Sequence, residues 1–149
     1  MLNTFLSITS SRAKFPCDVQ LHTSQESITP STACKSLGVM LDKHMNMEAH
    51  IKYICRSVNF HLRNILMIRD LVTPEAAEQL VHSLIMFRLD YCNSLLYGLP
   101  SVRTGSLKRV QNMAARLLTG TATQDHITPV FKSFHLLPIK FRILLSSYF

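Results

Sequence analysis

From Asn46 onward the apolar residues recur at helical spacing, and this change of period constrains the fold more than any other feature of the chain. With Ile51 set at zero and about 100° of turn per residue, Ile51, Ile54, Cys55, Val58, Leu62, Ile65 and Leu66 fall within an arc of roughly 120°. That arc is a core-facing stripe. Lys52, Arg56 and Arg63 fall together on the adjoining side, so one helix presents an apolar face and a compact basic strip.

Further helices follow. Thr73-Pro74 announces a second: the threonine hydroxyl can cap free N–H groups, and proline at the first helical position lacks an N–H that would go unpaired. Ala77, Leu80, Val81, Leu84, Arg88 and Tyr91 share its inner side with Phe87 nearby, and Asn93 to Gly98 ends it. Gly98 is the left-handed stop and Pro100 blocks continuation. A third helix is expected from about Ser106 to Leu118, with Leu107, Val110, Ala114, Leu117 and Leu118 buried and Gly120 as its stop. Arg109 and Arg116 line one face of it, with Lys108 beside them. Thr128-Pro129 repeats the capping signal for a short fourth helix, and Pro138 starts a last one. The chain stops at Ser146-Ser147-Tyr148-Phe149 with Leu144, Leu145 and Phe149 still wanting cover, which reads as a truncation or a stop inside a larger unit.

The first 46 residues read instead as short strands and turns. Phe5-Leu6-Ser7-Ile8 precedes a polar turn, and Val19-Gln20-Leu21-His22 alternates apolar and polar as a half-wet strand should. Ser36 to Leu41 is a continuous apolar run that fits a buried strand, with Gly38 marking a bulge or a close backbone approach. The expected class is α+β, mainly α: short N-terminal β-strands over residues 1–45, then a bundle of four to five helices over 46–149.

Composition narrows the function. Hydrophobic residues make up 47% of the chain and charged residues 17%, a greasier balance than an average soluble domain, so a partner surface or missing neighbouring sequence is expected. The net charge is +7, and the excess is uneven: residues 1–46 hold four Lys/Arg against three Asp/Glu, residues 47–149 twelve against six. Such an excess suits a polyanion. Cys17, Cys34, Cys55 and Cys92 are far apart without a C-x-x-C pair, which argues for free thiols in a reducing, intracellular compartment, cytoplasmic or nuclear. The apolar patch from Phe5 to Ile8 is too short for a signal-peptide core, and nothing is long enough to span a membrane.

Four blocks then point to a family. Arg88-Leu89-Asp90-Tyr91-Cys92-Asn93-Ser94-Leu95-Leu96-Tyr97-Gly98-Leu99-Pro100 resembles the R-L-D-Y-C-N-x-L-L-x-G-L-P block that follows the polymerase core in LINE-type (non-long-terminal-repeat) retrotransposon reverse transcriptases. Before it stand Ile28-Thr29-Pro30-Ser31, Leu37-Gly38-Val39 and His50-Ile51. After it, Leu107 to Gly120 is similar to L-x-x-V-Q-N-x-A-A-R-L, and Asp125-His126-Ile127-Thr128-Pro129-Val130 to D-H-I-T-P-V. Together the blocks cover about residues 27 to 143, in the family's order.

The resemblance implies that residues 1–45 are the last strands of a polymerase palm and its junction, and that the helices are the thumb and the segment beyond. A thumb grips the RNA/DNA template-primer duplex behind the active site. Its basic strips, here Lys52, Arg56, Arg63, Lys108, Arg109 and Arg116, would bind phosphates without reading sequence. A further implied partner is the polypeptide carrying the palm and fingers. The chain departs from the family at Leu136, where Trp is frequent, and at Asn3-Thr4, where a lysine-bearing turn is usual; the palm edge is expected to be incomplete.

Catalysis by this chain alone is not expected. Nucleotide transfer needs clustered carboxylates holding two metal ions about 4 Å apart. The family's aromatic-x-Asp-Asp motif is missing, and Asp18, Asp42, Asp70, Asp90 and Asp125 are never adjacent. No local signature makes Cys55 or Cys92 a nucleophile, His44 and His50 lack the spacing of a helical zinc pair, and no cofactor is implied. His44 and His50 read as surface or capping residues, Asp90 to Asn93 as a structural corner in which Asp90 pairs with a cation, and the scattered methionines as core filler. The competing functions are a domesticated helical protein-interaction module, binding through an uncovered apolar face, and a non-functional retrotransposon relic.

Overall fold

The structure is a computed structural model that describes Leu6, Leu21–His22, Ser27–Ile28 and residues 31–121 and 125–148. It is mainly helical, with two small antiparallel sheets, and it divides into two compact units, Met1–His50 and Ile51–Phe149.

In the first unit, β1 (Leu21–His22) pairs with β2 (Ser27–Ile28), Leu21 opposite Ile28. The strand expected at Phe5 to Ile8, apart from Leu6, and the first half of that at Val19 to His22 lie outside the described residues. β3 (Ala33–Ser36) and β4 (Val39–Asp42) form a tight hairpin, Ser36 opposite Val39 and Ala33 opposite Asp42. Leu37 and Gly38 connect them with φ of 47° and 84°, the successive left-handed conformations of a type I′ turn. The expectation of one buried strand through Ser36 to Leu41 is therefore corrected: Gly38 is a turn residue, and Leu37 is 89% exposed. The apolar run hid the turn because a leucine stands where Asn or Gly is usual, at a cost of about 1 kcal/mol.

Side chains then set the start of α1 (Glu48–Ile68). The Asp42 carboxylate accepts from the Asn46 N–H at 2.8 Å, and the Asn46 side-chain oxygen accepts from the Glu48 N–H at 3.0 Å. His50, expected at the surface or a cap, is instead 2% exposed, and its Nδ1 accepts from the Met40 N–H at 3.4 Å. Burial holds its pKa below the ordinary 6.5, disfavouring the charged ring.

In the second unit α1 buries Ile51, Ile54, Val58, Leu62 and Ile65. Leu66, assigned to the same stripe, is 57% exposed at its edge, so the stripe is narrower than expected. A 3₁₀ turn (Arg69–Leu71) leads to α2 (Pro74–Val81), where the Thr73 hydroxyl accepts from the Ala76 N–H at 3.2 Å. After α2 the helix widens into a π-helical turn (His82–Met86), closed by Phe87 N–H to the His82 carbonyl, before α3 (Phe87–Asp90). Residues in a wider turn rotate less per step, so Ala77, Val81, Ile85 and Leu89, each four apart, stay in line and are all buried. This corrects the inner face, which had been read through Arg88 and Tyr91 on a constant period. The helix also ends at Asp90 and not at Gly98: Tyr91 turns extended, Cys92 takes φ 53°, and a 3₁₀ turn (Asn93–Leu96) follows.

The next helix, α4, runs from Ser101 to Thr119 and starts five residues before the expected Ser106. Pro100, which the preceding helical segment does not pass, stands at its N-terminus. Its extended backbone aims its carbonyl at the N–H groups of Arg103 and Thr104 and begins the helix. α4 ends where Gly120 takes φ 65° and donates to the Arg116 carbonyl at 2.8 Å. Leu107, Val110, Gln111, Ala114, Ala115, Leu117 and Leu118 are buried, and α4 packs on α2, the π-helical turn and two short helices, α5 (Thr128–Ser133) and α6 (Ile139–Ser146). Thr128 does not repeat the Thr73 cap, since Ile127 precedes the first turn and no side chain caps it. Leu136 is buried between α5 and α6.

Candidate nucleic-acid interface

The same arc of α1 that buries its apolar stripe leaves Lys52, Arg56 and Arg63 exposed on one flank. Lys52 and Arg56 are one turn apart, and Arg63 lies two turns further, about 10.5 Å along the axis. Neither Arg56 nor Arg63 is paired with a carboxylate among the described residues.

α4 lies against this flank. The half-buried Cys55 meets Ser106 and the Arg109 guanidinium. Burial pushes its thiol above the ordinary value, with the Ser106 hydrogen bond and the Arg109 charge opposing, so it is not an activated nucleophile. Further along, Leu62 and Leu66 face Met113 and Leu117 across a 590 Å³ furrow. The two helices therefore advance in step, and exposed Arg109 acts on Cys55, the sequence neighbour of Arg56 in the α1 strip. Like the α1 arginines, Arg109 has no carboxylate partner among the described residues.

The other two cations of α4 do not join the strip. Arg116 is half-buried and donates from a terminal nitrogen to the Asp125 carbonyl at 3.1 Å, tying the loop before α5 to α4. Lys108 sits about 100° around the helix from Arg109 and lines a separate cleft with Tyr97 and Phe141. Of the expected three-residue face on α4, Lys108 points away because adjacent residues on a helix point apart, and Arg116, on the same side as Arg109, is engaged with the Asp125 carbonyl.

One feature of α1 escaped the sequence reading. Tyr53, Phe60 and Met67, spaced by seven, are exposed beside the cations, and with Arg56 and Arg63 they form a ridge at 3-4-3-4 spacing. Their spacing of seven is the signal in the sequence, and it falls outside both the inner stripe and the basic strip.

The polar residues of the sequence blocks meet elsewhere, in a network that holds α6. Gln111 is fully buried: its Nε2 donates to the Leu137 carbonyl at 2.9 Å and its Oε1 accepts from the Ile139 N–H at 2.8 Å. The Leu137 carbonyl also accepts from Arg142 Nε at 2.8 Å, and the Arg142 guanidinium pairs with the Asp90 carboxylate. Asn93 donates to the other Asp90 oxygen at 3.5 Å. Asp90 to Asn93 is thus a structural corner with its cation in place. Among the described residues no three His, Cys, Asp or Glu side chains gather as a metal site, and no helix is long and apolar enough to cross a membrane. Comparison with protein-family profiles, with curated proteins and with solved structures returns no match to this chain.

Proposed function

We propose that this chain is a catalytically incomplete, thumb-like part of a LINE-type reverse transcriptase, and that it grips template-primer nucleic acid through the strip formed by Lys52, Arg56 and Arg63 on α1 and Arg109 on α4. The observation that carries this reading is the exposed strip of Lys52, Arg56 and Arg63 along one flank of α1, with the Arg109 charge of α4 acting on Cys55 beside it. Arginines without carboxylate partners are free to neutralise phosphates, which supplies affinity independent of sequence. Tyr53 and Phe60 beside them offer ring faces on which unpaired bases stack, an interaction of about 1–3 kcal/mol per base.

In this reading the paired carboxylates of nucleotide transfer belong to another stretch of polypeptide, and the chain acts inside the cell, in cytoplasm or nucleus. The resemblance supports it through the block from Arg88 to Pro100 and the two blocks that follow. Filter binding with primer-template duplexes of unrelated sequence tests it. Equal affinity for all duplexes is expected, with at least about a tenfold loss on replacing Lys52, Arg56 and Arg63 by Gln. Undiminished binding by the triple variant would remove the proposed site.

A further inference from the structure

A second surface of the helical unit asks for a different occupant. α4 and α6 both line a cleft of 490 Å³ with an apolar floor that includes Leu96, Pro138 and Ile143. Its rim leaves Tyr97 59%, Phe141 50% and Leu144 39% exposed, far more apolar surface than a water-facing edge needs. Two ammonium groups, Lys108 and Lys140, stand on the same rim. No carboxylate lines the cleft, and neither lysine is paired with one among the described residues.

We propose that this cleft docks an amphipathic helix carrying carboxylates, supplied by another polypeptide. Charge complementarity selects the occupant: its apolar side chains cover the floor, and its Asp or Glu residues meet Lys108 and Lys140. A nucleic-acid backbone is a poorer match, because phosphates gain nothing from an apolar floor and lose hydration against it. The walls favour a helix in particular. Ser101, Thr104, Gly105 and Lys108 line the cleft at i, i+3, i+4 and i+7 of α4, so the wall is one helical ridge that a third helix can pack beside. Gly105 has open space where a Cβ would stand, which lets the incoming backbone approach closely. The inference stands apart from the nucleic-acid reading, since Lys108 lies outside that strip.

The test uses the full 149-residue chain and two fluorescein-labelled designed peptides of roughly 18 residues, about five turns. Both carry leucine along one helical face; one is flanked by Glu and the other by Lys. Anisotropy titration should show saturable binding of the Glu peptide and affinity weaker by at least about tenfold for the Lys peptide. Gly105→Leu fills the open space and suits a helix better than glycine, so it should keep or raise the thermal midpoint while weakening the Glu peptide by at least about tenfold. The double variant Lys108→Glu/Lys140→Glu should reverse the peptide preference. Equal binding of the two peptides, no binding of the Glu peptide at ~1 mM, or indifference to Gly105→Leu would each overturn the proposal. So would a self-association abolished by Gly105→Leu, which makes a second copy the occupant, or displacement of the Glu peptide by a DNA duplex.

Discussion

Replacing Gln111 by Leu isolates the polar network that fastens α6. The substitution keeps the side chain's bulk and removes both of its bonds, Nε2 to the Leu137 carbonyl and Oε1 from the Ile139 N–H. The two groups left behind are not equivalent. The Leu137 carbonyl retains Arg142 Nε, whereas the Ile139 N–H, in a residue only 3% exposed, loses its side-chain acceptor. A buried donor without a partner costs about 1–3 kcal/mol, and the apolar replacement, which loses no hydration on burial, returns a fraction of that, so a net loss of about 2 kcal/mol is expected. For a helical unit of this size the thermal midpoint should fall by about 8–16 °C. Thermal and urea unfolding followed by far-UV circular dichroism measure it. Arg142→Met in the Gln111→Leu background then strips the last donor from the Leu137 carbonyl, and the double variant should lose at least about 0.5 kcal/mol more than the sum of the two single changes. A Gln111→Leu variant with an unchanged midpoint, or strict additivity with Arg142→Met, would refute the network as described.

Thr73→Ala removes the hydroxyl that caps α2 and should cost about 1 kcal/mol, with Thr73→Ser restoring nearly all of it in the same unfolding assay. The pH response of the first unit follows from His50, whose folded pKa lies below its ordinary 6.5 because burial disfavours the cation. Its contribution to stability is complete above that unfolded value and is lost as pH falls from there through the lowered folded value, since the unfolded chain takes up the proton first. Hydrogen-exchange protection of the Met40 amide, which donates to His50, should therefore decline on acidification below about pH 6.5, and His50→Asn should flatten the decline.

Helix existence was legible in the sequence because it rests on local physics. Thr73 and Gly120 could be named as boundaries since a cap and a left-handed stop are written in one or two residues. The errors fall where tertiary packing overrides local preference. A leucine held at positive φ concealed the β3–β4 turn, a π-helical turn shifted the face of α2 and α3, and α4 starts at Ser101, directly after Pro100, where a start near Ser106 was expected. The site divided the same way. Lys52, Arg56 and Arg63 follow from one helix's periodicity, but the placement of Arg109 near Cys55 and of Lys108 on the α6 cleft comes from how α4 packs, which no local spacing encodes. His50 and Gln111 were opaque for a related reason: a polar residue in a helical pattern does not reveal whether a partner awaits it in the core.

The salt dependence of duplex binding tests the central claim most directly. Four phosphate contacts, from Lys52, Arg56, Arg63 and Arg109, correspond to a slope of log K against log salt of about −3.6, and each Gln substitution among them should reduce its magnitude by about 0.9. Lys108→Gln and Arg116→Gln should leave the slope unchanged, because the first lysine lies on the α6 cleft and the second cation holds the Asp125 carbonyl. A flat salt profile for the unmodified chain, or a slope that responds to all six substitutions alike, would contradict a phosphate-binding strip shared by α1 and α4.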